Sequence, residues 1–229
     1  AREFDNILAQ SLDAVSSTLG WEENYDHAGP CDFFFVSQDL HHAFIGAMHP
    51  SRDSAGRRYP LVAGIITPSE SISEFMPYLP LVYELFFTGL REQLISGIDN
   101  SVEMLACRHF LETQLGNSRH ASADLDLAQE LLTRFHQYQP ATSLEALFEQ
   151  RGNRGLLERA LINIGFSLEL SKRFNAPSTQ QQISLPLPGD TAVDAFYSAT
   201  WLMIYMQFSH HLRGDALSGY FISHRNGVS

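Results

Sequence analysis

Residues 32–67 read DFFFVSQDLHHAFIGAMHPSRDSAGRRYPLVAGIIT, and the fold turns on how this stretch is parsed. It holds three short apolar runs, 32–36 (DFFFV), 43–48 (AFIGAM) and 61–67 (LVAGIIT), rich in aromatic and β-branched side chains and bounded by Ser, Asp, Pro and Gly. Runs of this length and composition predict strands. Apolar residues occupy successive positions instead of alternating, so both faces of the resulting sheet are expected to be covered. The second and third strands are joined by the polar segment 49–60.

Outward from this stretch the period changes. Upstream, Phe4, Ile7, Leu8, Leu12, Val15 and Leu19 recur at helical spacing and Gly20 follows as a stop, which predicts an amphipathic helix. Downstream, Leu81 to Ile98 reads as one helix and Val102 to Leu111 as another, after a turn at Asp99 and Asn100. Residues 125–135 read as a third helix, residues 142–150 as a fourth opened by a Thr142/Glu145 capping box, and 156–170 as a buried fifth. Ile183, Leu185 and Leu187 alternate as a strand would. Asp190 is placed to cap a long helix carrying Val193, Phe196, Trp201 and Phe208, and Tyr220 to Ile222 reads as a last strand. Strands near both ends with helices between them predict a mixed α/β fold. Its expected form is a three-layer α/β/α sandwich, the central sheet covered by helices on both faces, with a helix-rich middle segment. Residues 1–229 are read as a single domain with a helical insertion or subdomain at roughly 80–174. A separate helical domain there is the alternative.

Composition narrows the function. The chain has 229 residues, 44% of them apolar and 18% charged, with 16 Phe, 8 Tyr and 2 Trp, which is globular and far from disorder. Its net charge of −11 repels phosphate backbones and disfavours nucleic acid as a partner. No run is long and apolar enough to span a bilayer. Cys31 and Cys107 lack CxxC spacing and fit reduced thiols in the cytoplasm, with a single bridge between them as the alternative. The first residue is not Met, so the chain is expected to be a piece of something longer.

Catalytic signatures are missing: no GxGxxG, GxxxxGK[ST], GxSxG or HExxH occurs. His41 with His42 and His210 with His211 are adjacent pairs, which point apart on either a strand or a helix and do not converge on a metal. His49, Ser51 and Asp53 have the side-chain types of a hydrolytic triad, but a triad is defined by geometry. No catalytic residue, cofactor or metal is assigned. The informative segment is 49–60, which gathers Arg52, Arg57 and Arg58 against the single Asp53 in an otherwise acidic chain. Such a spot can grip a carboxylate or phosphate in a forked geometry. Equally, Arg57 and Asp53 can pair inside the loop and fix its shape while the other arginines are solvated.

Residues 46–61, GAMHPSRDSAGRRYPL, resemble the signature of the TagF family, also called ImpM, of bacterial type VI secretion accessory proteins, G-x-x-x-P-S-x-D-x-x-G-R-x-[FY]-P-L. The matching positions are Gly46, Pro50, Ser51, Asp53, Gly56, Arg57, Tyr59, Pro60 and Leu61. The helix ending at Leu19, Gly20 and Trp21 resembles the family's first helix, and Leu185 to Pro188, the Trp201 helix and Tyr220-Phe221 resemble its closing elements. The family's usual Gly-Lys-Leu-Pro and Gly-Asp-Phe opening and its tryptophan-rich end do not occur in this sequence. The resemblance implies a three-layer α/β/α fold, a cytoplasmic location and no enzymatic activity. It also implies a role as post-translational repressor of the secretion apparatus through protein–protein contact, with a forkhead-associated scaffold protein as the implied partner. Pro50, Ser51, Asp53, Gly56, Arg57, Arg58, Tyr59 and Pro60 are then the expected signature or partner-binding loop. Two other classes remain open. One is an enzyme of unrecognised type acting on a small anionic substrate through the 49–60 loop, with His49 moving protons; the other is a self-associating subunit.

Overall fold

Each of the three short apolar runs becomes a strand, and the three pair in sequence. The computed structural model describes residues 2–37, 39–53, 55–73, 75–98, 100–117, 121–149, 156–174, 183–212 and 219–224. Strands β1 (Cys31–Val36), β2 (His42–His49) and β3 (Leu61–Pro68) join β4 (Gly219–Ser223) in an antiparallel sheet of order β3-β2-β1-β4. The chain divides into two compact units. One takes residues 1–74, 84–119 and 219–229; the other takes 75–83 and 120–218.

The first unit holds the sheet. Register sets Phe33 opposite Gly46 and Phe221, and Gly46 opposite Gly64, so Phe33, Phe44 and Phe221 share one face. Helix α1 (Arg2–Ser16) lays Phe4 and Leu8 on that face, with the Phe4 ring centre 4.4 Å from that of Phe33 and 5.2 Å from that of Phe44. Burying a side chain such as Phe33 contributes about 1.5–3 kcal/mol. On the opposite face lie Asp32, Phe34, Ile45 and Ile65, and α5 (Glu84–Ile98) packs against β2 and β3 there through an apolar stripe that includes Phe87, Leu90 and Leu94. The short α2 (Trp21–Asp26) and α3 (Glu70–Ser73) and the longer α6 (Ser101–Asn117) complete this unit.

The second unit is helical: a 3-10 turn (Met76–Tyr78), α4 (Leu79–Val82), α7 (Ala121–Tyr138), α8 (Ala141–Glu149), α9 (Leu156–Phe174) and α10 (Thr191–Leu212). Helix α10 is its axis and touches α4, α7, α9 and the 3-10 turn. Asp190 caps it as the sequence predicts, accepting the Ala192 N–H at 3.0 Å.

Four local expectations need correction. The first helix ends at Ser16 and a second, α2, begins at Trp21, because Gly20 turns left-handed between them. The single helix predicted from Leu81 to Ile98 is broken at Tyr83. Helix α8 starts at Ala141 after Pro140, so Thr142 already lies inside it and is not its cap. The alternating run Ile183, Leu185, Leu187 forms no strand: Pro186 and Pro188 lack ladder N–H groups, and the Pro186 carbonyl accepts the Trp201 indole N–H at 3.0 Å. The predicted roles of His210, His211 and Lys172 lie outside the described side chains.

Candidate functional site

The segment between β2 and β3 is a hairpin closed on Asp53. One carboxylate oxygen of Asp53 accepts the backbone N–H of Ala55 and of Arg57, both at 2.9 Å, while the Gly56 N–H returns to the Asp53 carbonyl at 2.9 Å. Gly56 sits at φ 79°, where a Cβ would be strained. The other carboxylate oxygen receives the Arg57 guanidinium through Nε and Nη2, each at 2.7 Å. The backbone N–H and then the side chain of Arg57 hold the Asp53 carboxyl below its ordinary range. Asp53, Gly56 and Arg57 therefore form one self-contained turn, and its closure sets Arg52 and Arg58 opposite each other as a bridge pair.

Both of those arginines reach α2. Arg58 donates to the two carboxylate oxygens of Asp26 at 3.0 and 2.7 Å and pairs with Glu22 at 3.0 Å; Arg52 adds a bond to Asp26 at 2.7 Å. The Arg58 guanidinium also lies over the Trp21 ring, 5.7 Å from its centre, a cation–π arrangement. Tyr25 of α2 exchanges hydrogen bonds with the backbone of Ser51, each at 3.2 Å, and the Ser51 hydroxyl donates to the Tyr59 carbonyl at 2.7 Å. The Tyr59 hydroxyl donates to Asp5 of α1 at 2.5 Å, and burial, followed by the Asp5 bond, pushes its pKa up to about 12.

Residues 1–114, which include the hairpin, α2 and the first three strands, match the family described as the TagF N-terminal domain, Type VI secretion system-associated. The chain belongs to the TagF family. Neither a curated protein nor a solved structure matches it.

Within this TagF chain, Ser51, Asp53, Gly56, Arg57, Arg58 and Tyr59 are brought together, and every one is engaged in the hairpin or in its contacts with α1 and α2. Pro50 and Pro60 stand at its two ends; the Pro50 carbonyl accepts the His49 Nδ1–H at 2.8 Å. Of the two arginines that the sequence left as solvated, Arg58 is only 16% exposed and is held by α2, while Arg52 bonds Asp26 and keeps a side chain 54% exposed; Arg57, paired with Asp53, is 81% exposed. An open depression of about 680 Å³ beside the hairpin is lined by Arg58 and the α1–α2 turn, and neither His49 nor Arg57 contributes to it. Among the described residues no group of three or more His, Cys, Asp or Glu side chains converges in a way that would hold a metal.

The clasp on α2 has a pH signature. Bonds from Arg58, and after them Arg52, draw the Asp26 carboxyl down to about 2 from an ordinary 3.8. A depressed carboxylate contributes stability that is complete above pH 3.8 and is lost as the pH falls through about 2. Emission from Trp21, read in a Trp201→Phe background, is expected to stay constant down to pH 3.8 and to change in one step below it. Arg58→Glu should show the changed emission already at neutral pH; unaltered emission there would remove the clasp.

Both thiols are free and buried, so they form no bridge. Burial drives Cys31 up to about 12 and raises Cys107 as well, which keeps both as un-ionised thiols at neutral pH. The native protein is expected to resist Ellman's reagent at pH 8 and to yield two thiols on unfolding. A fast-reacting native thiol would contradict this.

Sequence reasoning missed that Glu22, Tyr25, Asp26 and Asp5 receive the hairpin, and it missed one buried network. Asp26 and Glu22 sit in WEENYD, whose only signal is an acidic hexamer between an aromatic pair. The network centres on Asp32 of β1, which accepts Arg91 Nη1 and lies 2.8 Å from His224 Nε2, while Arg91 Nη2 donates to Thr88 at 2.8 Å and faces Glu84 at 3.4 Å. Its signals were an acid opening a triple-phenylalanine strand and a lone arginine in the apolar stripe of α5.

Proposed function

We propose that this protein is a non-enzymatic regulator of a type VI secretion system, a cytoplasmic repressor that acts by binding a component of the apparatus. The forkhead-associated scaffold is the component to test. The three-layer α/β/α reading of the sheet unit, with α1 and α5 as outer layers, belongs to the same proposal. The observation that carries it is the use to which the signature hairpin is put: Asp53, Arg52, Arg58 and Tyr59 spend their charges and hydrogen bonds inside the chain. A hairpin of that kind builds a fixed surface and leaves little free chemistry for a small anion, so the enzyme alternative loses support.

The test has two arms. Raising expression of the intact protein in its native bacterium should lower the amount of secreted tube protein without lowering its cellular level. Purified scaffold should bind purified protein in titration calorimetry. Unchanged secretion together with no binding would overturn the reading.

A further inference from the structure

The corner between α1 and α2 is held rigid and yet leaves its apolar side chains outside. Thr18 N–H bonds the Val15 carbonyl at 2.8 Å, Trp21 N–H the Thr18 carbonyl at 3.2 Å, and Asn24 N–H the Gly20 carbonyl at 3.1 Å. Ser16 and Ser17 hydroxyls close on the carbonyls of Asp13 and Ala14. On this fixed frame Leu19 is 99% exposed, Val15 is half exposed and Trp21 forms part of the wall of the open depression. One exposed leucine is ordinary on any protein surface. Here the leucine stands beside a tryptophan whose ring is held under Arg58, on a helix that the whole signature hairpin braces.

Preorganisation of this kind lowers the entropic cost of association, and aromatic anchors in a defined frame are what carry most binding energy at interfaces. Charge indicates the partner. The depression is walled by Glu22, Glu23 and Asp26 against Arg58; Arg58 and Arg52 meet Glu22 and Asp26, which leaves the Glu23 carboxylate over, within a chain of net charge −11. A surface of that sign is complementary to lysine and arginine and repels an acidic partner.

We propose that the α1–α2 corner is the docking site for a basic protein surface, with Leu19 and Trp21 as apolar anchors and Glu23 as the charge that selects lysine and arginine. The signature hairpin then acts at one remove, by fixing the corner instead of touching the partner. This rests on the reading that the protein works by protein–protein contact.

The test measures secretion of the tube protein at graded expression of the full chain, alongside thermal unfolding and light scattering of each purified variant. Leu19→Asp is expected to keep the wild-type Tm and to require roughly 10- to 100-fold more protein for the same repression, the size of a lost anchor. Glu23→Lys should weaken repression in the same direction, and Leu105→Asp, at an exposed leucine on α6, should change nothing. Repression retained by Leu19→Asp would overturn the docking site while leaving the regulatory reading standing. Repression strengthened by Glu23→Lys would overturn the basic partner. A wild-type dimer dissolved by Leu19→Asp would assign the corner to a second copy and overturn it too. Wild type that fails to repress at all would overturn the regulatory reading, and this proposal with it.

Discussion

Asp32→Ala is expected to lower the stability of the folded chain by about 3–5 kcal/mol, the range for breaking a buried ion pair from one side. Asp32 is 2% exposed and Arg91 and His224 are each 8% exposed, so the alanine leaves a guanidinium and an imidazole facing each other at 3.1 Å in a place water scarcely reaches. Glu84 is a weak substitute, since it meets Arg91 at 3.4 Å and burial raises its own carboxyl above the usual range. Whole domains are stable by only about 5–15 kcal/mol, so the loss takes a large share. Urea titration should show a fall in the midpoint at constant slope. Replacing both partners, as Asp32→Leu with Arg91→Leu, should cost less than Asp32→Ala alone, because no guanidinium is then buried without its acid, and the Glu84 carboxylate left behind is about a third exposed and keeps the Thr88 hydroxyl. Asp32→Ala within about 1 kcal/mol of wild type would mean that the network is not held as the geometry has it.

Gly46→Ala should be nearly as damaging, for a reason of space alone. A Cβ at Gly46 would lie 2.1 Å from the Ala63 carbonyl oxygen, 2.8 Å from Gly64 Cα and 2.9 Å from Phe33 Cζ. Two of these contacts are backbone, which has no rotamer by which to withdraw. Gly64, directly opposite on β3, meets the same obstacle beneath Phe44. The glycine pair is the floor on which the phenylalanine rings of the α1 face rest, and adding a methyl forces the strands or the rings apart. A cost of about 3 kcal/mol follows, at the upper end for overpacking, read as a fall in Tm of roughly 6–12 °C. Phe33→Leu in the same background should not rescue it, because the carbonyl clash stays. A Tm within about 2 °C of wild type would show that the strands part without strain.

How much of this was legible in the sequence follows from the distance over which each signal acts. Strands β1 to β3 could be read because their apolar runs are local and uninterrupted, and Asp190 could be read as a cap because its bond spans two residues. Helix α2 could not: six residues, four of them polar, carry no period, and the helix exists because Tyr25, Trp21 and Asp26 are gripped by a hairpin about 30 residues later. The site shows the same division. The Asp53–Gly56–Arg57 turn is local and was among the readings on offer. The destination of Arg52 and Arg58 was not, because nothing near them in the chain supplies the acids that receive them. Ile183 to Leu187 alternates as a strand does, yet two prolines deny it a ladder, and an indole takes the carbonyl that a neighbour would have used.

The pairing of β1 with β4 has a bearing on how the molecule comes into being. Phe33 and Phe34 find their second neighbours, Phe221 and Tyr220, only when residues 219–223 arrive, long after β1, β2 and β3 have left the ribosome. Until then one edge of β1 offers open hydrogen-bonding groups beside a run of phenylalanines, the kind of edge to which stray strands add. Nascent chains are therefore expected to pass through a stage that invites a chaperone, which the arrival of β4 ends.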